Sequence, residues 1–203
     1  CDGNKSDYSD ARLHFYLHHC DAVPSLVGSC IPEAVFCESD YQTTILDRIY
    51  ADIAPHDPEE ILQEEFINAR GAIARFSRGS IEIRLLDVQE CARADLAVVA
   101  LTVEVLRRLV AENCSSYENQ KRLGTEHLRS ILLDHVKCGG AARIENTEYL
   151  EVLLGAKVSP MTSKELWRRL YESVLAGSHQ LSPSSQDSIG KLMKEECEEL
   201  PLE

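Results

Sequence analysis

Apolar positions recur mostly at helical spacing along the chain, with one break into strand-like alternation near its middle. Ser9 or Asp10 is placed to cap a helix running to Cys20, with Leu13, Tyr16 and Leu17 on one stripe. Residues 21–38 hold Pro24, Gly28 and Pro32 between short apolar pieces and read as a structured loop. Ser39 or Asp40 then caps a helix to about Ile53, with Tyr41, Ile45, Leu46 and Ile49 at helical spacing, and Pro55 ends it. Pro58 opens a short acidic helix from Glu59 to Glu64. The strongest helix runs from Arg93 to Asn113. There Leu96, Val99, Ala100, Val103, Leu106 and Val110 make a broad apolar face that predicts packing across a sheet. A second helix, 116–137, stops at Gly139 and Gly140, and Thr147 to Leu154 predicts a short third. Pro160 to Ser163 caps a helix over Lys164 to Leu175, with Leu166, Trp167, Leu170 and Val174 apolar. Residues 177–185 are Ser/Pro-rich and read as a linker, and 186–203 form an acidic tail.

The alternating stretch is NARGAIARFSRGSIEIRLLD, from Asn68 to Asp87. It reads as two strands of a hairpin spanning 67–88, joined by a tight turn at Ser77-Arg78-Gly79. Residues i and i+2 of a strand share a face, so Glu82 and Arg84 lie side by side while Ile81, Ile83 and Leu85 face a core. Arg75, on the first strand, is expected on the same face as Glu82, one strand over. A carboxylate beside guanidinium groups suits a sheet that binds a metal ion and phosphates. Magnesium takes carboxylate oxygens, typically one or two from protein together with nucleotide phosphates, and guanidinium forks recognise phosphate or carboxylate.

The bland reading stands next to this one. Glu82 and Arg84 as an exposed same-face ion pair would contribute little. Arg78 in the turn reads equally as a solvated side chain. Asp87, Gln89 and Glu90 are placed to cap the long helix that follows. His14 and His18 are spaced i, i+4, but lack the neighbouring Glu and third ligand of a zinc motif. No Walker A, dinucleotide-binding or nucleophile-elbow motif occurs in the chain.

Composition narrows the class. A net charge of −13 over 203 residues argues against general nucleic-acid binding. Locally the balance reverses, with Arg70, Arg75, Arg78 and Arg84 forming a basic patch that suits a nucleotide or carboxylate. Eight cysteines without a C-x-x-C pair read as reduced thiols, which points to the cytoplasm. No apolar run reaches membrane-span length. The chain begins at Cys1 rather than Met, so it is expected to be part of something longer.

From Asn68 to Cys91 the string NARGAIARFSRGSIEIRLLDVQEC resembles the C-terminal half of glutamate–cysteine ligase family 2 proteins. The likeness rests on Arg75, the turn, the Ser80-Ile-Glu-Ile-Arg84 strand and Asp87. Arg12, Tyr16 and the loop from Val23 to Gly28 and Ile31 to Glu33 add to it. It extends over about 9–115, with weaker similarity at Tyr149–Leu154 and Leu166–Leu170. The resemblance implies an α+β fold: part of an antiparallel, glutamine-synthetase-like sheet packed with long helices, followed by a helical extension. The implied organisation is a catalytic part at 1–115, a helical extension at 116–176, and a linker with acidic tail at 177–203.

The resemblance also implies a chemistry. ATP phosphorylates a carboxylate, by family default the γ-carboxyl of glutamate, and an amine, by default cysteine, attacks the acyl phosphate. Glu82 would be the Mg²⁺ ligand. Arg84 and Arg75 would serve as catalytic groups on phosphate or substrate carboxylate, and Arg84 and Arg78 would bind the ATP cofactor. The family's first carboxylate strand, of G-x-E-x-E type, is missing from these residues, so an N-terminal half or a partner chain is expected to complete the site. Amino-acid or other small carboxylate and amine substrates are the expected partners, with no nucleic acid or membrane, and self-association is left open. Two other readings compete. One is a non-catalytic nucleotide-binding or regulatory module. The other is a helical interaction protein whose Arg75 and Glu82 point apart.

Overall fold

Asp10 starts the first helix, α1 (Ala11–Tyr16), by accepting a 2.8 Å hydrogen bond from the Leu13 backbone N–H. In this computed structural model, which describes residues 6–59, 61–62 and 66–177 and the single positions 183, 187 and 190, α1 ends at Tyr16 rather than Cys20. The next helix begins one residue before the expected cap, at Glu38, with Cys37 as its extended N-cap residue. It runs as α2 (Glu38–Tyr41), a π-helical stretch (Gln42–Leu46) and α3 (Asp47–Ile53). Thr43 bonds back to the Ser39 carbonyl at 3.1 Å, a habit of Ser and Thr that bends helices. A 3-10 turn containing Pro55 closes the helix. Pro58 and Glu59 form a turn; residues 60, 63 and 64 of the predicted acidic helix lie outside the described residues.

Strands β1 (Ala72–Arg75) and β2 (Ser80–Ile83) form the expected antiparallel hairpin. A 3-10 turn over Phe76–Arg78 leads to Gly79 in the left-handed conformation at φ 57°, where a residue without Cβ is favoured. Helix α4 (Ala92–Val110) follows. The predicted 116–137 helix is two helices, α5 (Tyr117–Lys121) and α6 (Thr125–Cys138), because Gly124 interrupts it and opens the second as N-cap. A second small antiparallel sheet, not foreseen, pairs β3 (Arg143–Ile144) with β4 (Met161–Thr162) around α7 (Thr147–Leu154). Helix α8 (Ser163–Gly177) starts at a reciprocal box. Thr162 N–H donates to Glu165 at 2.8 Å, and Glu165 N–H donates to the Thr162 hydroxyl at 3.2 Å. The fold is α+β, and among the described residues no helix is long and apolar enough to cross a membrane.

The chain divides into two units. One comprises the described residues up to Leu86 together with Leu123–Ala142. Among the described residues its core includes two clusters. Tyr41, Ile45, Leu46 and Ile49, at the spacing that predicts them, pack with Leu26, Val35 and Ala74. Val27, Cys30 and Ala69 pack with Tyr16, Leu85 and Leu132.

The other unit comprises Asp87–Arg122 and the described residues from Arg143 onward. Here the buried side of α4 differs from the one its periodicity suggests. Ala94, Ala97 and Leu101 are buried, the last two against Val174 of α8, whereas Leu96, Val99, Val103, Leu106 and Val110 are exposed. The helix meets α8 along its stripe of smaller side chains, which admits a closer approach. On α8 itself Leu166, Leu170 and Val174 are buried as their spacing predicts, while Trp167 is exposed.

Candidate functional site

The hairpin register decides which charges meet. Ile73 faces Glu82 and Arg75 faces Ser80, so Arg75 sits diagonally across from Glu82 on the same face. Its guanidinium reaches one Glu82 oxygen twice, from Nε at 2.8 Å and Nη2 at 2.5 Å. Arg84, just past β2, donates from Nε to the other oxygen at 2.7 Å. Its backbone N–H donates to the Gly71 carbonyl at 2.9 Å, so the chain leaves the strand still tied to the start of β1. The Arg84 charge also acts on the Tyr16 phenol, whose hydroxyl donates to the Ala69 carbonyl at 2.9 Å. Burial pushes the Tyr16 pKa up, against the lowering effect of Arg84.

The electrostatics follow from these bonds. Hydrogen bonds from Arg75 and then Arg84 hold the Glu82 carboxyl below its ordinary range. Glu82 remains partly open to water, while the Arg75 side chain is buried and lies 5.0 Å from the Phe66 ring centre. Arg75 Nη1 is buried with no hydrogen-bond partner among the described residues. Buried polar groups normally find partners, so this donor is an exception within the hairpin.

The opposite face of β2 departs from expectation. Ile81 and Ile83 are exposed: the Tyr41 cluster packs against Ala74 on that side of the two-stranded sheet and leaves these β2 side chains accessible. Only Leu85 turns inward, next to Gly71 and the Val27 cluster.

Behind the hairpin lies a second ion pair that spacing does not suggest. Arg70, counted above in a surface patch, is fully buried. Its Nε and Nη2 grip the two Glu33 oxygens at 2.6 Å each. Nη1 reaches the Ser25 carbonyl at 3.1 Å and Asn68 Oδ1 at 3.2 Å. Asn68 in turn donates to the Tyr41 hydroxyl at 2.8 Å, and the Ala74 N–H donates to that hydroxyl at 3.3 Å. Burial pushes the Glu33 carboxyl up, but the bonds and charge of Arg70, with a contribution from Arg48, bring it below its usual value. The small residues Ala69 and Gly71 flanking Arg70 are a faint sign that its side chain runs inward. Nothing in the sequence pairs it with Glu33.

The family model of glutamate-cysteine ligase family 2 matches residues 1–177. The chain belongs to that family. It is also 34% identical over 142 residues to a protein of Archaeoglobus fulgidus described as uncharacterized, an overlap of 68% of this chain and 38% of that protein. The chain thus spans well under half the length of this relative. No solved structure matches it.

In this family member the residues expected at the site fall into distinct places. Arg75, Glu82 and Arg84 converge, which removes the interpretation in which Arg75 and Glu82 part. Arg78 lies exposed in the turn. Asp87 lies beyond the end of β2 and accepts from the Val88 N–H at 2.9 Å. It does not cap α4, whose N-cap residue is Cys91 and has no side-chain bond; Asp95 instead accepts from the Gln89 N–H at 3.0 Å. His14 stacks on Tyr8, with ring centres 3.8 Å apart, and has His18 at its edge. Among the described residues no group of three or more His, Cys, Asp or Glu is arranged for a metal ion. A cavity of about 260 Å³ does occur in the first unit, but Pro24, Ser25, Gly28, Ser29, Glu33, Arg48 and Arg70 line it rather than Glu82 and Arg84.

Proposed function

We propose that this chain supplies part of the phosphate and metal site of an ATP- and Mg²⁺-dependent carboxylate–amine ligase. The reading rests on the Arg75–Glu82–Arg84 constellation in a member of this family, above all on a buried guanidinium nitrogen without a partner among the described residues beside an anionic carboxylate. Glu82 would be the magnesium ligand. A carboxylate has about four lone-pair sites, so two arginine-bonded oxygens retain capacity for a cation. Magnesium is content with one or two protein carboxylates when phosphates supply further oxygens, and Glu82 meets the lower figure. The bound ion would offset charge on the phosphoryl oxygens.

The arginines have separate work. Arg84 would hold the transferring phosphoryl group, and Arg75 would offer Nη1 to phosphate or to the substrate carboxylate. Arg78, free to swing in the turn, would contact the nucleotide. In the reaction a carboxylate oxygen attacks the γ-phosphorus and ADP leaves. The amine nitrogen then attacks the acyl carbon, loses a proton and expels phosphate. The guanidinium groups are fixed in advance by Glu82 and need little reorganisation as charge develops. Glutamate and cysteine are the proposed acid and amine, in the cytoplasm, with further metal ligands coming from elsewhere in the full-length protein.

A second reading has one observation in its favour: both Glu82 oxygens are already bonded to arginine, as in a closed structural network. It makes the chain a nucleotide-binding or regulatory module without chemistry. The full-length protein with Glu82→Ala separates the two. Loss of ATP-dependent amide formation, with an unchanged circular dichroism spectrum, is the expected outcome. Undiminished activity would end the metal-ligand role, and absence of turnover in the wild type despite Mg²⁺-dependent ATP binding would favour the second reading.

A further inference from the structure

Helix α4 buries one stripe of its surface and leaves another open. Ala94, Ala97 and Leu101 are buried, the last two against Val174 of α8. On the outer side Ala92, Leu96, Val99, Val103, Leu106 and Val110 are exposed, the five larger ones by 39% to 85%. The remaining exposed residues of the helix are Arg93 and Arg107. The six open apolar positions follow one another at steps of four and three residues in strict alternation. That is the a/d repeat of a coiled-coil seam, and it is narrower than the apolar face a helix turns to a globular core.

A seam of this kind is filled by another helix with the same repeat, and a second copy of the chain brings one by identity. We propose that two copies associate through α4, seam against seam, as a reversible homodimer. The contact is isologous, so each knob of one helix meets a hole of the same make-up on the other. Arg93 and Arg107 stand at the rim, where charge stays in water, and Arg107 already has Glu104 at 3.7 Å. Size sets the strength. A 19-residue helix is about 28 Å long and on the order of 10 Å wide, so the strip offers on the order of 300 Å² per copy. Two such strips fall below the roughly 1,000 Å² of a tight interface, which makes the dimer weak, with a Kd on the order of 10 µM. The contact uses neither nucleotide, metal nor the hairpin charges, so the inference goes beyond the ligase reading and stands apart from it.

Sedimentation velocity of the full-length protein, over a hundredfold concentration range bracketing that value, tests it. A monomer–dimer equilibrium is expected, and high salt should not weaken it, because no seam position carries a charge. Val103→Glu should weaken association tenfold or more while leaving the urea midpoint near that of the wild type, since the site is exposed. Val103→Ala adds no charge and should weaken association several-fold, so it keeps the test in hand if the glutamate variant unfolds. Ile81→Glu, at an open apolar position on the hairpin, should leave the equilibrium unchanged. Monomer throughout the range would overturn the proposal, whether α4 is then covered by the rest of the full-length chain, by a helix of another protein or by a lipid surface. So would a dimer that survives both Val103 variants, or one that Ile81→Glu dissolves.

Discussion

Arg75 on β1 and Glu82 on β2 are joined across the hairpin by two hydrogen bonds to a single carboxylate oxygen. Because Arg75 is the leading cause of the low Glu82 pKa, Arg75→Met should raise it. Carbon-13 NMR of the labelled Glu82 carboxyl will read this directly. The sign also governs stability. A carboxyl whose folded pKa is depressed contributes stability that is present above its unfolded pKa and is lost as pH falls through the folded value. In the wild type that loss should therefore extend below the ordinary glutamate range, and in Arg75→Met it should be complete at higher pH. Partial exposure of Glu82 keeps the effect on stability small. An unmoved carbon-13 titration would mean that Arg75 does not set the Glu82 charge.

Arg70 and Glu33 form a pair of a different kind. One partner is fully buried, and its donors are shared among Glu33, Ser25 and Asn68. Arg70→Met removes the guanidinium and leaves Glu33 partly desolvated and unpaired. Breaking such a pair from one side costs about 3 kcal/mol or more. Urea denaturation should show that loss in midpoint with an unchanged slope. A change under about 1 kcal/mol would mean that water replaces the fork easily.

Tyr41 gives a smaller, sharper test. Its hydroxyl accepts from Asn68 Nδ2 and from the Ala74 N–H, joining the helical core to β1. Tyr41→Phe keeps the ring and removes the acceptor, so a buried amide loses its partner at a cost of about 1–2 kcal/mol. Hydrogen exchange at Ala74 should accelerate in the variant while exchange in α8 is unchanged. Uniform acceleration would point to global rather than local loosening.

These contrasts show what a linear pattern carries. The Glu82–Arg84 adjacency is legible because a strand repeats every two residues, and the Arg75 diagonal follows once a short turn fixes the register. The helical core of Tyr41, Ile45, Leu46 and Ile49 is legible for the same local reason. The Glu33–Arg70 fork is not, since 37 residues separate the partners and no period links them. Periodicity also misjudges α4. It identifies an apolar stripe of Leu96, Val99, Val103, Leu106 and Val110, but burial goes to whichever stripe a neighbour can approach, and Ala94, Ala97 and Leu101 offer the closer one. The two-residue strands β3 and β4 are too short to leave a pattern.

Two glycines share a left-handed backbone and differ in what surrounds them, which yields the last prediction. Gly79 has φ 57° in the hairpin turn, and a Cβ there would meet no atom within 4 Å. Gly79→Ala should therefore cost only the backbone strain of a left-handed alanine, about 1 kcal/mol. Gly28 has φ 58°, but its Cβ would press on the Arg70 guanidinium at 2.7 Å. Gly28→Ala adds displacement of the fork to the same strain and should cost about 3 kcal/mol or more. In the Arg70→Met background the second contribution has nothing left to displace. The penalty of Gly28→Ala should then fall toward that of Gly79→Ala, a coupling that a double-mutant cycle by urea denaturation measures. Additive penalties would mean that Gly28 is required for its own backbone alone and not for the seat of Arg70.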